Sequence, residues 1–117
     1  MRLIILESPF AGPDHKTIRD NVIYARRCLR DCLNKDEAPL ASHLLYTQAG
    51  VLNDFVPAER HRGIEAGLAW GKFAEATVVY MDRGISDGMK KGIERATAEG
   101  RPVEYRHLPN YQEIDRE

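Results

Sequence analysis

Two stretches of this chain are apolar without interruption. Leu3 to Leu6 is one, and the β-branched run from Thr77 to Met81 is the other. Runs of that kind suit strands buried on both faces, as in a parallel sheet. Shorter strands are expected over Ala38 to Ala41 and Val103 to Arg106. Helical patterns fill the intervals. From Thr17 to Leu33, the positions Ile18, Val22, Ala25, Leu29 and Cys32 form one helical stripe, with an Arg-rich remainder left to solvent. Asp14 or Asp20 favours the start of that helix electrostatically. Pro57 suits the first turn of a second helix reaching Phe73, with Ile64, Leu68 and Phe73 in its apolar content. Ser86 is a good N-cap for a third, Gly100 a good terminator, and Pro102 blocks continuation.

The resulting order, β–α–β–loop–α–β–α–β, predicts a parallel sheet built by right-handed crossovers, with strands arranged 2-1-3-4. The expected fold is a small flavodoxin- or Rossmann-like α/β three-layer sandwich with four or five parallel strands. Its switch point falls between the first and third strands, where open sheets of this class bind ligands. One domain is expected over residues 1–108, followed by a polar tail, 109–117, in which Tyr111 and Ile114 stand isolated.

The loops after those two strands hold the candidate chemistry. After the first come Ser8, Pro9, Phe10 and Gly12; after the third come Asp82, Gly84, Ser86, Gly88 and Met89. Glycines let backbone approach a ligand closely, and a helix start attracts anions. Glu7 and Asp82, at strand ends, suit sugar hydroxyls or acid–base work. Gly63, Gly67 and Gly71 recur every four residues on the second helix, and Gly88 and Gly92 on the third. Each interior glycine costs about 1 kcal/mol against alanine, so the stripes imply close packing, space for a ligand, or both. Glu65 borders the first stripe and is a candidate to point inward. His43 follows the second strand, beside the long connection that holds Tyr46, Thr47, Gln48, Asn53 and Asp54. A connection of that length suggests a functional loop.

Composition narrows the classes. With 117 residues, 17 basic and 18 acidic, the net charge of −1 argues against a nucleic-acid surface. No apolar run approaches a membrane span, and the first residues read as a strand rather than a leader, so the cytoplasm is the expected setting. Cys28 and Cys32 share a helical face and are expected to pack as small apolar thiols. His15, His43, His61 and His107 lack metal spacing, and no cofactor or metal is expected.

The segments SPFAG, SHLLYTQ, ERHRGIEAGL and DRGISDGMKKGIERATAEGRPVEY cover most of the chain. Together they resemble small phage and bacterial proteins of the DUF4406/DUF7768 type, which look like members of the nucleoside 2-deoxyribosyltransferase superfamily. The resemblance implies a nucleoside or nucleotide-like ligand in the crevice, with Ser8, Gly12, Ser86 and Gly88 on its phosphate side. It also implies homo-oligomers, with Trp70 and the Tyr111/Ile114 tail as candidate anchors. In the enzymes a Glu on the last helix attacks the sugar's anomeric carbon; the matching position here is Gly92. Ligand binding without that Glu is therefore the expected function. An N-glycosidase or deoxyribosyltransferase using Asp82, Glu65 or Glu94 is the alternative, and a structural role for the glycine-rich helices is the third.

Overall fold

The computed structural model describes residues 1–113, so Ile114 lies outside the described residues. Its elements are β1 (Arg2–Glu7), α1 (His15–Asn34), β2 (Glu37–Leu40), α2 (Ser42–Leu45), α3 (Pro57–Gly71), β3 (Ala76–Tyr80), α4 (Asp87–Ala98) and β4 (Val103–Arg106). The four strands form a parallel sheet in the order β2-β1-β3-β4, as the element order predicts. Both central strands are hemmed in on two sides, which is why β3 is buried at all five positions.

Alternation along β1 and β3 divides the core. Ile4, Leu6, Ala76, Val78 and Tyr80 pack against Tyr24, Cys28 and Cys32 of α1. Ile5 and Glu7 belong to the other face, beneath α3 and α4. Asp14 is the N-cap of α1, its side chain accepting the Thr17 amide at 2.8 Å. The buried face of α1 is centred on Tyr24, Ala25, Cys28 and Cys32, while Ile18, Val22 and Leu29 are only half-buried. That face is rotated from the apolar stripe because buried polar residues of α1 find partners. Asn21 donates to the Phe10 carbonyl and Asp31 accepts from the Tyr80 hydroxyl at 2.6 Å. Both cysteines are buried and free, and burial raises both thiols above their ordinary range.

Two expectations need correction. The segment after β2, where the sequence predicts one long connection, contains the one-turn helix α2. The second long helix, α3, ends at Gly71, so Phe73 lies beyond it and is 68% exposed. The tail residue Tyr111 stacks edge-on against Tyr24 with centroids 5.5 Å apart, joining Leu108 against the chain's own core.

A charge network ties the two edge strands. Arg106 of β4 grips both carboxylate oxygens of Glu37 of β2 at 2.7 Å, and Arg2 bridges Glu37 and Glu104 at 2.7 and 2.8 Å. Hydrogen bonds from Arg106 hold the Glu37 carboxyl down to about 2. Removing Arg106 takes two charge-assisted hydrogen bonds from a nearly buried carboxylate and leaves it Arg2, so Arg106→Ala is expected to lower unfolding free energy by about 2 kcal/mol in urea titration. The folded carboxyl lies below its unfolded value of 4.5, so its contribution is complete above that pH and fades as pH falls toward 2. Glu37→Gln flattens that acid dependence, measured as thermal midpoint against pH.

Candidate functional site

A cavity of about 310 Å3 opens where the strand order reverses, at the C-terminal end of β1. The end of β1 and its loop supply Ile5, Glu7, Ser8 and Phe10. α2 and the segment after it supply Ser42, His43, Tyr46, Thr47, Leu52 and Asp54; α3 supplies its glycine stripe with Ile64 and Leu68. Ser86, Gly88, Met89 and Gly92 come from the start of α4, and Arg101 from the turn after it.

The glycines of these helices each make room for a side chain. A methyl group at Gly67 would overlap the Ser42 hydroxyl, so Gly67 seats α2 against α3. At Gly71 it would come 2.6 Å from the Arg101 guanidinium, which bonds the Gly71 carbonyl, also at 2.6 Å, and the Thr77 hydroxyl at 3.0 Å. At Gly92 it would overlap the carboxylate of Glu7. Small residues along α3 and α4 thus admit polar groups from β1, α2 and the last turn.

The electrostatics follow from burial. Ser8 Oγ and His43 Nε2 lie 2.7 Å apart. Burial lowers the imidazole to about 4, so near pH 7 His43 is neutral and forms a neutral hydrogen bond with Ser8. Burial raises the Glu7 carboxyl to about 8, against a partial opposing pull from the charge of Arg101. The rim is braced by Arg60, which binds Asp54 at 2.9 Å, and by Glu59, which accepts the Asn53 amide at 2.9 Å. Ser86 caps α4, its hydroxyl accepting the Met89 amide at 3.3 Å.

Of the candidate ligand contacts, Ser8, Phe10, His43, Ser86, Gly88 and Met89 come together on this cavity; Pro9, Gly12, Gly84 and Asp82 do not line it. Gly12 faces the Thr17 side chain, and Gly84 sits in a turn with φ of 88°. The three candidate catalytic carboxylates also lie elsewhere. Asp82 accepts from Tyr24 at 2.6 Å and the Leu108 amide at 2.9 Å, and pairs with His107 at 3.1 Å. Burial alone would raise its carboxyl, but these hydrogen bonds bring it below its usual range. Asp82 therefore locks α1, β3 and the chain after β4 together. Glu65 is exposed and bonds His61 at 2.6 Å, and Glu94 is exposed on α4. Glu7, which the sequence marks only as a strand-end acid, is the β1 carboxylate in the cavity. Arg101 and Ser42 carried no sequence signal of their own; the glycines opposite them did.

The family model for a domain of unknown function, DUF7768, matches residues 2–106, and the chain belongs to that family. No curated protein sequence matches it. Among solved structures it is similar to a 2-deoxyribosyltransferase from the psychrotolerant bacterium Bacillus psychrosaccharolyticus. The TM-score is 0.61 and the identity 19%, covering 97% of this chain and 77% of that one. The likeness establishes a shared α/β fold.

The raised carboxyl of Glu7 has a definite thermodynamic sign. Its folded value of about 8 exceeds the ordinary 4.5, so the native state holds a proton that the unfolded chain releases. Stability contributed by that proton is complete below 4.5 and is lost as pH rises through 8. Glu7→Gln, neutral at every pH, is expected to raise the thermal midpoint at about pH 9 by more than it does at about pH 3.5, test points about one unit outside the two ends of that window. Equal effects at both values would contradict the assignment.

Proposed function

We propose that the crevice binds a nucleoside or nucleotide-like ligand. The observation that carries this reading is the cavity itself: it opens at the switch point of a parallel sheet, the place where α/β folds take their ligands. Its volume of about 310 Å3 lies at the small end of small-molecule sites, which run from about 300 to 1,000 Å3. Phe10, Leu52, Ile64, Leu68 and Met89 offer apolar surface for a flat base. Glu7, Ser8, His43 and Ser42 offer hydrogen-bonding groups for a sugar, and the start of α4 favours an anion at the rim. The fold shared with a 2-deoxyribosyltransferase supports the same ligand class. In this reading Gly92, where the resemblance expects a Glu, leaves a binding module.

A second reading is favoured by one observation, the presence of Glu7 in the cavity. It takes the protein as an N-glycosidase or deoxyribosyltransferase whose carboxylate comes from β1. The protein is further read as a homo-oligomer, supported by Trp70 and Phe73, 48% and 68% exposed at the end of α3. Trp70 donates to the Tyr46 hydroxyl at 2.8 Å, so one side of such an interface would lie next to the cavity.

The test is a thermal-shift screen of the full chain against nucleosides, deoxynucleosides and their monophosphates, with chromatography of every ligand that acts. A ligand at roughly one hundred times its dissociation constant adds about 2.7 kcal/mol of stability, which is readily seen as a raised midpoint. The expected result is a raised midpoint with the ligand recovered intact. Release of free base would replace binding by the second reading, and the absence of any shift would remove both.

A further inference from the structure

Glu7 stands out among the charged residues of the cavity. Ile5 and Glu7 share the face of β1 that looks toward α4, and Glu7 is half-buried there. Among the described residues no hydrogen bond reaches its carboxyl group; Arg101 acts on it by charge alone. The other charged or titratable groups lining the cavity are His43 of α2, Tyr46 and Asp54 of the segment after it, Glu59 and Arg60 of α3, and Asp87 of α4. Asp54 and Arg60 are paired with each other, and Glu59 with the Asn53 amide. A half-buried carboxyl group that no side chain or amide engages keeps its hydrogen-bonding capacity for a ligand in the cavity. The space for that carboxyl comes from α4, where Gly92 is buried and any side chain would overlap it.

Resting on the reading of the crevice as a nucleoside site, we propose that Glu7 is the acid that engages the ligand's sugar, and that Gly92 is the opening in α4 that lets a side chain from β1 take this place. A carboxyl group suits sugar hydroxyls in either protonation state. Ionised, it accepts from them; protonated, it donates to one oxygen and accepts with the other. It is unsuited to a phosphate, which its ionised form repels. The sugar therefore sits deep against β1, and any phosphate lies toward the start of α4. Glu7 and Gly92 act as one device, because the second is empty only to accommodate the first.

The experiment is isothermal titration of the full-length protein with adenosine, guanosine, cytidine and thymidine, and with their monophosphates, repeated on Glu7→Ala, Gly92→Ala and the double variant. The atoms that a methyl group at Gly92 would meet are the flexible end of Glu7, so Gly92→Ala displaces the carboxyl without breaking the fold. Each single change is expected to weaken the best nucleoside by about tenfold or more, the loss of one or two good hydrogen bonds. The double variant is expected to match Glu7→Ala alone, since position 92 matters only through Glu7. Glu7→Ala that still binds like the parent, or effects that simply multiply in the double variant, would overturn this proposal while leaving the nucleoside site standing. A parent protein that binds none of the four, nor their monophosphates, would overturn the site and the proposal together. Circular dichroism at the titration temperature verifies that each variant is folded.

Discussion

The site depends on the two-sidedness of a buried strand. β1 lies between β2 and β3 in a parallel sheet, so its side chains must alternate between two covered faces. Ile4 and Leu6 enter the α1 core, and with them fixed, Ile5 and Glu7 have only the opposite face to occupy. A carboxylate is thereby delivered under α3 and α4, where little water reaches it. Slipping β1 by one residue would exchange the two sets and put Glu7 among Tyr24 and Cys28. The hydrophobic pairing that defines the core is thus also what aims the acid.

Space for polar groups is supplied by glycines on the covering helices. Gly67 receives Ser42, Gly71 receives Arg101, and Gly92 receives Glu7. Interior glycines weaken a helix, by about 1 kcal/mol each against alanine. Here they allow backbone and polar side chains to approach at distances that a methyl group would forbid. The opposite face of the sheet solves a different problem. Arg106, Glu37, Arg2 and Glu104 join strands at the two edges, and Asp82 gathers Tyr24, His107 and the Leu108 amide. These side chains bond to one another or to the backbone, whereas among the described residues no hydrogen bond reaches the Glu7 carboxyl.

The architecture was legible in the sequence because its signals are local. Continuous apolar runs marked β1 and β3, Asp14 and Ser86 sit where helix caps belong, and Pro57 opens α3. The strand order followed from connection handedness. The helix α2 was missed because one turn has no period to detect, and the end of α3 was overrun because Phe73 continues its apolar spacing past Gly71. The site was partly legible: Ser8, Phe10, His43, Ser86, Gly88 and Met89 do meet on the cavity. Asp82 reads like a crevice acid because strand ends commonly supply one, but its partners, Tyr24 and Leu108, are distant in sequence and invisible to local reasoning. The pairing of Glu7 with Gly92 spans β1 and α4, so it too emerges only when the chain is folded.

The central claim is that Glu7 carries a half-buried carboxyl group, without a hydrogen bond from the described residues, that faces the ligand. Carbon-13 NMR of the Glu7 side-chain carboxyl, followed through a pH titration with and without a saturating nucleoside, tests it most directly. The account predicts an inflection near 8 in the free protein and a shifted resonance on ligand addition. An inflection at the ordinary 4.5, with a resonance indifferent to the ligand, would contradict it.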